Sequence, residues 1–133
     1  MKYIYTIFIF FLALNSQAQS ELSTPAKVFN CKDFKNSLFK IKTNANSEEY
    51  WFVKETDVLQ KDMVNKSEAE STLYWLDSCE FVLIYNKISG FPSLNLKDKY
   101  IYTIDKINGN SFFLRTSYKG LEVIQELEWI EER

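Results

Sequence analysis

The sequence predicts an all-β fold: an antiparallel up-and-down meander of about eight strands, closed into a small barrel. Three observations carry that reading. From Phe39 onward the apolar residues recur with a period of two, the signature of strands with one buried face. The segments are joined by short polar stretches, and short links between successive strands can join only antiparallel neighbours. No long window repeats its apolar residues at the helical spacing, so helices packed on a parallel sheet are disfavoured. A meander of this length removes its two exposed edges by closing on itself. An open roll or a sandwich of the same strands is the alternative.

In chain order, Gln19 to Pro25 is small and polar, a loose arm ahead of the fold. Ala26 to Asn36 then sets Val28, Phe29 and Phe34 around Cys31 as a helical turn or an irregular plug. Phe39 and Ile41 alternate with Lys40 and Lys42 and mark the first strand. Tyr50 to Lys54, Val58 to Val64, Thr72 to Leu76, Phe81 to Tyr85, Tyr100 to Ile107, Ser111 to Tyr118 and Leu121 to Ile130 follow, each rich in β-branched or aromatic residues. Thr43 to Glu49 and Asn65 to Glu70 are polar loops of hairpin length. Asn108-Gly109 signals a tight turn, because both residues tolerate positive φ, and Lys119-Gly120 signals a second. The connection Asn86 to Lys99 stands apart. It is long for a hairpin and carries Gly90 and Pro92 among Ile88, Phe91, Leu94 and Leu96, so it is expected either to cover one barrel end or to form a binding loop.

The 133 residues make one domain, and with 46% hydrophobic and 17% aromatic residues they supply one real core. Lysine and arginine number 16 against 18 acids, a net charge of -2, which leaves no electrostatic footprint for a phosphate backbone and excludes nucleic acid as an expected partner. There is no histidine, which removes the Ser/His/Asp triad, the Cys/His pair and every His-ligated metal site. A calcium loop and a glycine-rich phosphate cradle are both absent from the sequence, so no metal and no cofactor is expected. The acids Glu48-Glu49, Glu68 with Glu70, Glu126 with Glu128, and Glu131-Glu132 read as solvated faces. No catalytic residue is assigned, and the chain is expected not to be an enzyme.

Met1-Lys2 supplies a positive start, Ile4 to Leu14 an uncharged apolar run, and Ser16-Gln17-Ala18 the small residues of a cleavage site: a secretory signal peptide over residues 1–18. The apolar run is shorter than the ~20 residues a bilayer span needs, so no membrane insertion is expected after cleavage and the protein is expected to be secreted or periplasmic. Residues 19–35 then form the arm and residues 36–133 the barrel domain. Cys31 and Cys79 are the two cysteines, and in an oxidising compartment they read as one disulfide. That bridge would staple the arm to the middle of the fold, a constraint of up to about 4 kcal/mol in the chain-entropy account.

Two stretches, Cys31-Lys32-Asp33-Phe34-Lys35-Asn36-Ser37-Leu38-Phe39 and Leu73-Tyr74-Trp75-Leu76-Asp77-Ser78-Cys79-Glu80-Phe81-Val82-Leu83, carry a resemblance, with Gln60-Lys61-Asp62 between them. Together they resemble a group of small secreted proteins of Bacteroidota, of uncharacterised function, with a Cys-x-Asp-Phe-Lys start, a central Gln-x-acid element and a Trp-x-x-x-Cys strand pair. Ser37 or Leu38 stands where that group has a glycine, and Lys54 where it has an arginine. The resemblance implies a compartment and a fold, with no chemistry attached. The overall pattern is similar to the lipocalin and fatty-acid-binding architecture, whose eight-stranded barrel is either filled by side chains or holds one small ligand.

Arg115 alternates with Phe113 and Ser117 on one strand. Pointing inward it could grip a ligand carboxylate through two parallel hydrogen bonds; pointing outward it would pair with an acid such as Glu122 or Glu126. The rings of Trp51, Phe52, Trp75, Phe81, Tyr85, Tyr102, Phe112, Phe113 and Trp129 favour a filled interior over a large cavity. In the adjacent pairs Trp51/Phe52 and Phe112/Phe113, one ring of each is expected to point outward. The candidate ligand-binding set is Arg115, Trp75, Tyr85, Phe91, Tyr102 and Phe113, with the mouth beneath Asn86 to Lys99. Two functions compete: a non-enzymatic barrel that binds a small apolar or amphipathic ligand, and a filled barrel that serves as an interaction module for an envelope protein or polysaccharide.

Overall fold

The structure, a computed structural model, describes residues 27–43 and 46–133. The expected signal peptide and residues 19–26 of the arm lie outside the described residues. Eight strands run in sequence around a closed barrel: β1 (Ser37–Lys42), β2 (Glu49–Val53), β3 (Asp57–Asp62), β4 (Ser67–Trp75), β5 (Glu80–Ser89), β6 (Lys99–Asn108), β7 (Ser111–Tyr118) and β8 (Leu121–Glu132). All neighbours are antiparallel, and β1 meets β8 from Ser37 opposite Glu132 to Lys42 opposite Glu126. The expected meander and its closure into a barrel are what the chain adopts.

The turns follow from local backbone chemistry. Lys119 and Gly120 take φ of 49° and 78°, the left-handed pair that a two-residue hairpin with the strands' own twist requires. Between β6 and β7 the turn sits one residue later than Asn108-Gly109. Asn108 pairs with Ser111, so Gly109-Asn110 make the bend, and Gly109 alone takes positive φ, at 60°.

Three of the segment boundaries that differ from the sequence expectation have a local cause. β3 stops at Asp62 rather than Val64, because Asp62 turns its carboxylate onto the N–H groups of Val64 and Asn65 and starts the bend. β4 begins at Ser67 rather than Thr72. Ser67, Ala69 and Ser71 all face inward, so the period of two was present but written in small and polar residues. Those small residues make room for Tyr85, which is fully buried beside them. β5 in turn runs on to Ser89 through a register slip at Asn86, where Glu70 pairs with Lys87 and Ser71 with Tyr85. The connection to β6 is thereby shortened from 86–99 to residues 90–98.

One barrel end is plugged. Residues Cys31–Phe34 form a single 3-10 turn capped by Asn30, whose Oδ1 accepts from Lys32 N at 2.9 Å while Asp33 Oδ2 accepts from Asn30 N at 2.9 Å. The turn drives Phe34 into the barrel, stacked between Phe39 and Phe81 with ring centroids 4.9 Å away on each side. Phe34, Phe39, Phe81 and Phe112 are completely buried. Truncating such a ring to alanine typically costs about 3–5 kcal/mol. The Cys31–Cys79 disulfide, with Cα atoms 5.2 Å apart, fastens the plug to the β4–β5 turn. Trp51, Tyr102 and Phe81 continue the packing inward, Tyr102 lying 5.2 Å from Phe81 in a near-parallel stack and 5.5 Å from Trp51 edge-on. From the plug to the level of Tyr102 the barrel is filled by side chains.

Candidate functional site

The opposite end is covered by residues 90–98, and the cover is held by specific bonds. Gly90, at φ 84°, brings its carbonyl to Ser67 Oγ, which donates to it at 2.9 Å. Lys97 N donates to the Tyr85 carbonyl at 3.2 Å. Asn95 donates through its backbone to the Tyr100 phenol oxygen at 2.9 Å and through Nδ2 to the Tyr118 phenol oxygen at 3.0 Å. Tyr118 donates its own proton to Asp98 in a short bond. Tyr100 and Tyr118 stack with centroids 4.3 Å apart, so the two phenols act as a paired anchor for the loop. Phe91 and Leu94 turn back onto the core.

Beneath and beside this cover lies a cavity of about 380 Å³, within the range of small-molecule sites. Leu94, Leu121 and Val123 form its apolar wall, the Tyr100/Tyr118 pair a second wall, and Tyr102 and Thr116 its floor, with Ser93 and Gln125 beside them. It opens sideways for a reason visible in the register. β1 ends at Lys42 opposite Glu126, so the first residues of β8 are paired with β7 but not with β1. Leu121 and Val123 continue the inward phase of fully buried Leu127, yet remain 71% and 55% exposed. They are inward-facing residues at an open flank.

A row of polar side chains crosses the barrel under the cavity. Glu49 Oε1 accepts from Gln60 Nε2 at 3.3 Å and from Trp51 Nε1 at 3.4 Å. Gln60 Oε1 accepts a short bond from the buried Tyr85 phenol. Burial dominates the proton affinities here. It holds the Glu49 carboxyl above its ordinary range, raises Tyr85, and pushes Tyr102 up to about 12. Thr116, opposite Tyr102 in the β6–β7 register, has a buried hydroxyl that lies near that phenol without forming a hydrogen bond of ordinary geometry.

The residues singled out from the sequence distribute unevenly. Tyr102 lines the cavity, Tyr85 lies behind it in the polar row, and Phe91 packs in the covering loop. Trp75 is at the plugged end against Phe34 and Phe81, remote from the cavity. Phe113 points outward under Lys106, and Phe52 likewise lies outside, under Arg133. Arg115 also faces outward, donating to Asp105 at 2.9 and 3.1 Å and to Glu122 at 3.0 Å, with all three bonds on the barrel's exterior. Its inward option fails for a plain reason: Leu114 and Thr116 hold the inward phase of β7. Glu49, expected at the end of the loop Thr43 to Glu49, instead opens β2 facing inward. The signal was its phase, two residues before Trp51 and four before Val53. Leu121, Val123 and Gln125 could have been found the same way, by counting back from Leu127.

Comparison with models of known protein families, with curated proteins and with solved structures gives no match for this chain. The cavity lining contains no carboxylate, ammonium or guanidinium group. Among the described residues no group of three or more His, Cys, Asp or Glu side chains is placed to hold a metal ion, and no helix is long and apolar enough to cross a membrane.

Proposed function

We propose that this protein is an exported, non-enzymatic carrier of a small apolar or amphipathic molecule, bound at the barrel end covered by residues 90–98. The observation that supports this most directly is the uncharged cavity of about 380 Å³ that enters the barrel beside Leu121 and Val123. Apolar walls provide the driving force for burying hydrocarbon, at roughly 25 cal/mol per Å² removed from water, and a few polar groups orient the guest. Export follows from the N-terminal segment read as a signal peptide, and the disulfide fits an oxidising compartment. The resemblance to secreted proteins of Bacteroidota agrees with that compartment.

A fluorescence titration with Nile red, an uncharged dye, tests the reading. Saturable binding is expected, and Val123→Trp, which fills the flank, should abolish it while the thermal unfolding midpoint is kept. Equal dye binding by both proteins, together with no small molecule retained in native mass spectra of protein from its own host, would rule the carrier out. The competing reading, an interaction module, draws on outward apolar residues such as Ile101 and Ile124, which are 42% and 66% exposed. Cross-linking and co-purification from the envelope would then succeed where the dye fails.

A further inference from the structure

We infer that the first residues of β8 form a self-complementary sheet edge, which pairs antiparallel with the same edge of a second copy of this chain about a two-fold axis at Val123. Such pairing does not depend on what the cavity holds. The edge exists because β1 ends at Lys42 opposite Glu126, while β8 begins earlier, at Leu121. Tyr118 and Leu121 flank a two-residue turn and form its closing hydrogen-bonded pair, so Leu121, Val123 and Gln125 point their N–H and C=O groups at β7. Glu122 and Ile124 point theirs the other way, where no strand of the described residues pairs with them.

Sheets that must stay single protect a free edge with lysine, proline, a bulge or a covering element. The stretch Leu121-Glu122-Val123-Ile124-Gln125 has no lysine and no proline, and its register with β7 is unbroken. Leu121, Val123 and Ile124 are left 71%, 55% and 66% exposed. The one charge, Glu122, already accepts from Arg115 Nη1 at 3.0 Å. Charge also selects the register. About an axis at Val123, Glu122 lies opposite Ile124 of the second copy, Leu121 opposite Gln125, and Val123 opposite its own counterpart. The outward backbone groups of Glu122 and Ile124 then exchange hydrogen bonds across the axis, and no like charges face each other. The neighbouring registers set Glu122 against Glu122, or Glu122 against Glu126, and carboxylates directly opposite each other are destabilising. The added strand lies beside Leu121 and Val123, at the flank where the cavity opens.

The test is sedimentation of the full exported chain, its disulfide intact, from about 1 μM to about 1 mM, the range in which so short a pairing associates. The mass should rise from one chain to two. Ile124→Pro removes an N–H on the free side and no bond to β7, a change that edge strands tolerate. It should stay monomeric throughout while keeping the wild-type circular-dichroism spectrum. Cysteines read the register: opposite residues at the axis have Cα atoms about 4.5 Å apart, within disulfide reach. Val123→Cys should therefore cross-link into a covalent dimer on mild oxidation, and Leu121→Cys should not. A dimer that survives Ile124→Pro, or equal cross-linking by the two cysteine variants, overturns the inference. Wild-type protein that stays monomeric over the whole range overturns it too, and leaves the edge to an extended segment of another protein.

Discussion

Among the described carboxylates whose proton affinity the fold alters, Glu49 moves upward and Asp62 and Glu126 move downward, and the difference separates two kinds of acid. Asp62 accepts from Asn65 and from the backbone of Glu48 and Val64, and Glu126 accepts from Lys42 and Ser111, so both favour the ionised form. Their stabilisation is present at neutral pH and fades on acidification below the ordinary carboxylate range. Glu49 behaves in the opposite sense: burial opposes its charge, so its contribution is complete below the ordinary value of 4.5 and is lost as pH rises through the higher folded value. Glu49→Gln should consequently match the wild-type unfolding temperature near about pH 4 and exceed it near about pH 7. A difference that grows toward acid would refute the assignment. At Gly90 the constraint is steric. An added Cβ would lie 2.5 Å from Ser67 Oγ and 3.0 Å from Ser67 Cβ, on a backbone already at φ 84°. Gly90→Ala should cost about 2 kcal/mol in urea unfolding; a loss below about 0.5 kcal/mol would mean that the loop re-seats freely. Of these two residues only Gly90 was visible in the sequence. The burial of Glu49 shows only in its phase with Trp51 and Val53, because its residue type alone looks the same whichever way it faces.

At the level of elements, legibility tracked how apolar the inward positions were. β2, β6 and β7 could be read because Trp51, Tyr102, Ile104, Phe112 and Leu114 are large and alternate cleanly. The first half of β4 was hidden because its inward side is Ser67, Ala69 and Ser71, small so that Tyr85 can fit. The long connection had been overestimated for the related reason that Asn86 is a bulge within β5 rather than its end. What remains, residues 90–98, is tied to the barrel chiefly through tyrosine phenols, and this makes a local prediction. Tyr118→Phe removes the bond to Asp98 and the acceptor for Asn95 Nδ2 while keeping the stack on Tyr100. Amide hydrogen exchange at Asn95 and Lys97 should then quicken about tenfold, while the amides of β1 to β4 are unchanged. A uniform loss of protection across all strands would instead show that the loop unfolds only with the whole barrel.

For the molecule as a whole, closure and the two unlike ends set the behaviour. A closed antiparallel barrel has few free edges, and its contacts join residues far apart in sequence, so unfolding is expected to be a single cooperative event. The disulfide spans 48 residues and anchors the plug at one end. The cavity sits at the other, with Phe81 stacked between Phe34 of the plug and Tyr102 of the cavity floor. The filled interior that the aromatic content predicts and a cavity are both present, at different heights of one barrel, a division that composition does not encode. Stability and binding should therefore respond differently to reduction. Breaking the Cys31–Cys79 bond releases a long loop in the unfolded ensemble and should lower the unfolding free energy by up to about 4 kcal/mol. Because the constraint bears on the plug, which reaches Tyr102 only through the Phe34–Phe81 stack, Nile red affinity measured well below the reduced protein's melting transition should stay within about twofold of the oxidised value. If affinity falls with reduction while the circular-dichroism spectrum is unchanged, the aromatic layer transmits strain from plug to mouth and the two ends form one coupled device.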